Sequence, residues 1–77
     1  MGKTYTSENG KKYKVLPWGI ASVRENRIVQ KYKVCCQMVG SLSWVRYPRA
    51  AYYDTPEEAE RELDTLADRK GWKLCEN

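Results

Sequence analysis

Apolar residues recur at helical spacing in the last third of the chain. Ala59, Leu63, Leu66 and Ala67 stand at positions i, i+4, i+7 and i+8, which places them in one stripe along a helix. The preceding segment 55–58, Thr-Pro-Glu-Glu, supplies an N-cap, a proline at the first helical position and the acidic residue of a capping box. Gly71 follows as a C-cap. The pattern predicts a helix over residues 55–70.

Alternating apolar and polar positions predict strands through most of residues 3–53. Asn9-Gly10 favours a two-residue hairpin turn, which would place Thr6 opposite Tyr13. The second arm, 12–16, is expected to end at Pro17, because proline cannot donate a hydrogen bond to a ladder. A short strand at 20–23, a turn at 24–27 with a loop of two or more residues, and a long strand at 28–39 are predicted to follow.

Gly40-Ser41 is predicted to close the next hairpin with a two-residue loop, which puts Cys36 opposite Val45 and Gln37 opposite Trp44. Period-two alternation then divides the hairpin between two faces. The face expected to form the core holds Tyr32, Val34, Cys36, Met38, Val45 and Tyr47. The other face is basic and aromatic and holds Lys31, Lys33, Cys35, Gln37, Leu42, Trp44 and Arg46. Pro48 is expected to end this ladder.

These elements predict an α+β fold in which a small antiparallel β-sheet of three to five strands is packed on one face by a single C-terminal α-helix. The helix stripe is narrow and rich in alanine, so it must be covered by the apolar face of the sheet. Trp72 is expected to pack back onto the last helical turn, and residues 72–75 to form a short final strand. We expect one domain over residues 1–77, with the opposite face of the sheet in water.

Charge is divided between the two predicted layers. Residues 1–53 carry ten basic and two acidic groups, a net of +8, whereas residues 54–77 carry four basic and eight acidic groups, a net of −4. The excess positive charge therefore belongs to the sheet. A basic layer with interleaved aromatic residues is typical of proteins that bind a polyanion or an acidic protein.

Other features of the composition argue against a membrane protein, a metal-binding protein and an enzyme. No apolar stretch approaches the roughly 20 residues that span a bilayer, and the N-terminus lacks the apolar core of a signal peptide, so we expect a soluble, cytoplasmic protein that binds no membrane. The three cysteines, Cys35, Cys36 and Cys75, show no metal-binding spacing and are expected to be reduced. No histidine, glycine-rich phosphate loop or nucleophile with a partner base is present, which predicts no enzymatic activity, no metal, no cofactor and no small-molecule substrate.

The predicted binding surface is the basic and aromatic side of the sheet together with neighbouring cations. Its residues are Lys12, Lys14, Lys31, Lys33, Gln37, Trp44, Arg46 and Arg49. Lysine and arginine bind phosphates, arginine and glutamine can read base edges, and tryptophan can stack on a base. Two alternatives stay open: a solvated face on which lysine stems half-cover Trp44, and an interface for an acidic protein built on the same Trp, Arg and Lys surface.

Three segments also resemble a known family: 31–34 (Lys-Tyr-Lys-Val), 44–47 (Trp-Val-Arg-Tyr) and 53–60 (Tyr-Asp-Thr-Pro-Glu-Glu-Ala-Glu). Together they resemble the amino-terminal arm-binding domain of tyrosine-type phage and transposon integrases, over about residues 28–68. In that family a three-stranded sheet enters the DNA major groove and is followed by a threonine-capped helix. The resemblance implies DNA contact by Lys33, Gln37, Trp44 and Arg46, and an accessory role in a phage or mobile element. The N-terminal hairpin and Pro48 depart from the family's pattern.

DNA is expected to be a better ligand than RNA. The double-stranded-RNA-binding domain also combines a sheet with helices, but it opens with a helix before its strands. Residues 1–20 contain no helical pattern, which disfavours that fold.

Overall fold

The computed structural model describes residues 3–75, which form five strands and one helix. The strands are β1 (Tyr5–Thr6), β2 (Lys12–Ser22), β3 (Arg27–Gln37), β4 (Trp44–Arg46) and β5 (Lys73–Leu74), and the helix is α1 (Pro56–Lys70). They build one antiparallel sheet in the order β4-β3-β2-β1-β5. The predicted α+β class, with one helix on a small antiparallel sheet, is confirmed, and the final strand lies within the predicted range.

The helix begins and ends on the predicted signals. The Glu58 backbone N–H donates to Thr55 Oγ1 at 3.3 Å, so Thr55 is the N-cap. Gly71 adopts a left-handed φ of 76°, and the Trp72 N–H donates to the Ala67 carbonyl at 2.9 Å, which is the hydrogen bond of a Schellman motif. Local chemistry therefore fixes both ends of α1.

The core lies between α1 and one face of the sheet. The helix contributes the predicted stripe, and β2 and β3 contribute alternate residues from their facing sides. The buried cluster consists of Tyr13, Val15, Val34, Cys36, Ala50, Ala59, Leu63 and Leu66. Since these strand residues share one side of the pleat, α1 covers a single face of the sheet, as predicted.

Three aromatic rings close the core at the C-terminal end of α1. Tyr13 and Trp72 are stacked, with ring centroids 3.7 Å apart and planes 7° from parallel. Tyr47 meets both rings edge-on at 5.9 Å. Trp72 thus packs onto the sheet as well as the last helical turn, and this cluster joins the helix C-terminus to β2.

The first hairpin differs from the prediction by one residue of register. Tyr5 pairs with Tyr13 and Thr6 with Lys12, so Thr6 does not face Tyr13. The Gly10 N–H donates to the Ser7 carbonyl, the Ser7 N–H donates to the Lys11 carbonyl, and Gly10 has a φ of 84°. This is a three-residue loop in which a turn is followed by a left-handed glycine, and it places Tyr5 on the core face.

Pro17 does not end β2, contrary to the prediction, and no separate strand starts at 20. Pro17 pairs with Tyr32 inside an unbroken ladder that runs from Lys12 to Ser22. The N–H and C=O of Tyr32 both bond Tyr53, on the side of β3 away from β2. The Pro17–Tyr32 pair is therefore of the non-hydrogen-bonded type, and the proline nitrogen points away from β3, to the side of β2 where β1, among the described residues, pairs only with Lys12 and Tyr13.

The β2–β3 connection and the β3–β4 connection are both longer than a two-residue hairpin loop. Residues 23–26 join Ser22 to Arg27, and Asn26 takes a positive φ of 53°. The predicted β3–β4 register is confirmed, with Cys36 opposite Val45 and Gln37 opposite Trp44. The ladder nevertheless stops there, so residues 38–43 replace the two-residue loop.

Two residues assigned to the core by alternation are outside it. Met38 and Val45 remain 47% and 48% exposed, so their predicted burial is wrong. Met38 has left the ladder, and Val45 lies on the edge strand β4, whereas α1 packs mainly on β2 and β3. Alternation gives the side of the sheet to which a residue points, but not the reach of the covering helix.

A polar cluster fastens the N-terminal strand to the helix. Lys3 Nζ lies 2.9 Å from both carboxylate oxygens of Asp64, and the Tyr5 hydroxyl donates to Asp64 Oδ1 at 2.7 Å. Partial burial disfavours the ionised carboxylate, but the hydrogen bonds from Lys3 and Tyr5 outweigh burial and lower the pKa of Asp64 below its ordinary value. The cluster therefore favours the folded chain when Asp64 is ionised.

Asp64→Asn is expected to destabilise the protein at neutral pH more than in acid. Because the pKa of Asp64 is lower in the folded chain, its contribution is present above the unfolded value of about 3.9 and is lost as pH falls through the folded value. Urea unfolding of wild type and variant at about pH 7 and about pH 2.5 measures this change. Asp68→Asn removes the same charge from an exposed position of α1 and is the control. If Asp64→Asn lowers the free energy of unfolding as much at about pH 2.5 as at about pH 7, the proposed contribution of ionised Asp64 would be contradicted.

Candidate nucleic-acid interface

The side of the sheet opposite α1 carries most of the predicted binding residues in two rows across the strands. Ladder pairing defines both rows, since residues opposite each other point to the same face. One row is Lys12, Gln37 and Trp44, and the next is Lys14, Cys35 and Arg46. We call this side the open face, and its position opposite the helix is as predicted.

Two cations on the open face are held over tryptophan rings. Lys14 Nζ lies 4.5 Å from the centroid of the Trp44 ring, and the Arg46 guanidinium lies 5.5 Å from that of Trp18. Such contacts are worth about 0.5–1 kcal/mol at exposed sites. Both positive groups are thus positioned before any ligand binds, and one face of each indole is already covered.

Cys35 lies on the open face but is completely buried, which corrects the expectation that this face is in water throughout. The Trp18 indole donates its Nε1–H to Cys35 Sγ at 2.8 Å. Burial raises the pKa of the Cys35 thiol, so it remains protonated. Cys36 points to the opposite side, into the core, as adjacent strand residues must.

Lys33 was predicted to be an exposed contact residue, but the structure buries it, with only 5% of its surface exposed. Its ammonium donates to the Ala50 carbonyl and lies 4.6 Å from the centroid of the Tyr52 ring. The chain leaves β4 after Arg46, forms a loop through residues 47–52 and rejoins β3 at the Tyr32–Tyr53 bridge. This loop covers Lys33, and the sequence pattern contains no signal for its path.

Lys31 is half-buried at the far end of the same face. Its ammonium forms an ion pair with Asp54, just before the helix N-cap. Lys31 is therefore partly neutralised and contributes less to attraction of a polyanion than Lys14 or Arg46.

The predicted residues divide into three groups. Lys12, Lys14, Gln37, Trp44 and Arg46 lie together in the two rows of the open face. Lys31 and Lys33 point to the same side but are engaged by protein groups. Arg49 is exposed on the 47–52 loop, outside the two rows.

Sequence reasoning missed two residues of this surface. Trp18 was omitted because the strand was expected to stop at Pro17, although the spacing of Lys12, Lys14 and Trp18 already placed all three on one face of a continuous strand. Tyr52 was omitted because no pattern placed the loop. Its hydroxyl oxygen lies 2.5 Å from Arg46 Nη1.

The electrostatic character of the open face is uniform along the strands. Every charged strand residue that shares this side of the pleat is basic; they are Lys12, Lys14, Arg27, Lys31, Lys33, Arg46 and Lys73. Residues of the helix supply most of the acidic groups, on the other layer. A field of one sign over one face attracts polyanions and orients the molecule toward them.

Within residues 3–75, no group of three or more Cys, Asp or Glu side chains is arranged to hold a metal ion. In the same part of the chain, no helix combines the length and apolar character needed to cross a membrane. Comparison with protein-family models, curated proteins and solved structures finds no match to this chain.

Proposed function

We propose that this protein is a non-enzymatic nucleic-acid-binding module whose open face contacts duplex DNA. The observation that carries the proposal is the pair of cation–tryptophan contacts on a face whose charged strand residues are all basic. Lys14 and Arg46 present positive charge at fixed positions, with Lys12 and Gln37 beside them. Such an array suits the regularly spaced phosphates of a duplex.

The covered indoles favour a duplex over a single strand. Proteins that bind single strands stack successive bases on free aromatic faces. Here Lys14 occupies one face of Trp44 and Arg46 one face of Trp18, and the Trp18 N–H is engaged by Cys35. The cations are thus the more available binding groups, and a duplex presents phosphates without requiring base stacking.

The resemblance to integrase arm-binding domains supports the same ligand. In that family the sheet enters the major groove, and Gln37 and Arg46 are the residues here that could donate to base edges. We accordingly propose DNA rather than RNA as the ligand, and an accessory role in a phage or mobile element.

Arg46→Ala is expected to weaken binding to a fluorescent DNA duplex at low salt without unfolding the protein, since Arg46 is exposed. If about three phosphates are contacted, wild-type affinity should fall roughly 50-fold between 50 and 200 mM salt. Loss of one contact should reduce the salt slope by about one. Arg69→Ala, the same change at the exposed end of α1, is the control and should bind as wild type.

The titration should also include duplex RNA, single-stranded DNA and single-stranded RNA. Tighter binding to single strands than to duplex DNA would contradict the argument from the covered indoles. Absence of binding to all four ligands at low salt would remove the nucleic-acid proposal.

An interface for an acidic protein is the second candidate, and one observation favours it. The 38–43 connection beside Trp44 exposes Leu42 by 94% and Val39 by 66%, which adds an apolar border to the Trp, Arg and Lys surface. Aromatic and arginine side chains with neighbouring apolar groups are typical of protein interfaces. Duplex binding that is insensitive to Arg46→Ala, or absent, would favour this function.

A further inference from the structure

Lys33 is a buried cation for which the described chain provides no anionic partner. It is the buried charged residue of the structure, and the ion pairs within residues 3–75 are made by Lys3, Arg27 and Lys31. Its ammonium has three donors, one of which bonds the Ala50 carbonyl. A buried charge is costly unless it is paired, and a carbonyl and an aromatic face compensate only part of that cost.

A pocket lies at this lysine. It has a volume of about 330 Å³ and is lined by Lys33, Arg46, Pro48 and Tyr52. It forms where the chain leaves β4 and bulges before rejoining β3 at Tyr53. Arg46 Nη1 and the Tyr52 hydroxyl are 2.5 Å apart, so this contact orients a second cation at the same pocket.

Two positive groups lining one pocket repel each other unless an anion lies between them. We propose that this pocket binds a phosphate monoester. Near neutral pH such a group carries about 1.5–2 negative charges and three acceptor oxygens, which can satisfy the free donors of both Lys33 and Arg46. A carboxylate carries one charge and would leave one cation uncompensated.

The other two lining residues agree with a phosphate attached to an organic group. Tyr52 and Pro48 line the pocket beside the cations and supply apolar surface, and Tyr52 is 38% exposed. A sugar or base joined to the phosphate can pack there. The ligand is therefore a free nucleoside monophosphate or the 5′-phosphorylated end of a nucleic-acid strand.

The first experiment uses adenosine 5′-monophosphate, inorganic phosphate and adenosine as probes, in low-salt calorimetric titrations of the full chain. Wild type should bind the two phosphates and not adenosine. Lys33→Met should bind adenosine monophosphate about 10- to 100-fold more weakly, because it loses a hydrogen-bonding charge. Lys70→Met removes the same charge from the exposed C-terminal turn of α1, outside the open face, and should bind as wild type.

Thermal unfolding of the same variants separates a binding role from a structural one. Replacing an unpaired buried cation by an apolar side chain of similar shape should leave the melting temperature equal or higher. If Lys33 only holds the loop through the Ala50 carbonyl, Lys33→Met should lower the melting temperature without removing any phosphate affinity. If Lys33→Met does not fold, Arg46→Gln, at an exposed position, takes its place with the same expected loss.

The two sources of phosphate are distinguished by a strand that carries a 5′-phosphate and one of the same sequence with a 5′-hydroxyl. Tighter binding of the phosphorylated strand assigns the pocket to strand ends, and this arm alone rests on the proposed function. If both strands bind equally well and adenosine monophosphate still binds, the pocket is assigned to free nucleotides. If the wild-type protein binds neither adenosine monophosphate nor inorganic phosphate at millimolar concentration, the proposed phosphate site is wrong. This conclusion holds whether or not the protein binds duplex DNA.

Discussion

Leu63→Ala is expected to destabilise the protein by about 2–5 kcal/mol. Leu63 is completely buried, and its neighbours in the helix stripe are mainly alanines, so they cannot fill the cavity that the change would leave. A domain of this length has a total free energy of unfolding of about 4–12 kcal/mol. The change should therefore remove a large share of the stability, and urea unfolding followed by circular dichroism measures it.

Leu42→Ala is the matched control, because Leu42 is 94% exposed on the β3–β4 connection. It should change the free energy of unfolding by less than about 0.5 kcal/mol. If both variants unfold at the wild-type urea concentration, α1 does not pack on the sheet through Leu63. The assignment of a covered and an open face would then fail as well, since it depends on this packing.

The helix was predictable because its signals are local. Thr55 and Glu58 form the N-terminal cap, and Gly71 adopts the left-handed φ that ends the helix, all within a few residues of the bonds they make. The β3–β4 register was predictable for a related reason: alternation fixes which residues share a face, and a shift of one residue would move Val45 to the open face and Trp44 and Arg46 to the helix side.

The wrong predictions for the strands concern features that depend on the neighbouring strands. Asn9-Gly10 is compatible with loops of two and of three residues, and the structure uses the longer one, with Gly10 in the left-handed region. Pro17 is tolerated because its nitrogen points away from β3, to the side of β2 where β1, within residues 3–75, pairs only with Lys12 and Tyr13. Neither fact can be known before the neighbouring strands are placed.

The candidate site was predicted where it depends on strand alternation and not where it depends on a loop. Lys14, Trp44 and Arg46 lie on the open face as expected. Burial of Lys33 results from the 47–52 loop, whose path is set by the Tyr32–Tyr53 bridge and by Ala50 in the core. The same loop forms one side of the pocket, so the lysine whose burial was not predicted is also the lysine of the proposed phosphate site.

Trp72→Ala is expected to destabilise the protein by about 3 kcal/mol, the lower end of the range for a large aromatic residue because Trp72 is half-buried. Its ring is stacked on Tyr13 at 3.7 Å and meets Tyr47 edge-on, so truncation removes the contact that joins the end of α1 to β2. Urea unfolding measures the loss, and the near-ultraviolet circular dichroism of the aromatic cluster should weaken.

Trp44→Ala makes the same chemical change on the open face, where the ring is also half-buried but lies outside the core cluster, and should cost only about 1 kcal/mol, the scale of its cation–π contact with Lys14. The pair of variants thus separates stability from binding, since Trp72 supports the core and Trp44 belongs to the proposed interface. Trp72→Ala should retain duplex affinity under conditions where it is folded, whereas Trp44→Ala should lose part of it. Equal destabilisation by both substitutions would mean that the two faces are buried alike, and a surface free to bind DNA would not exist.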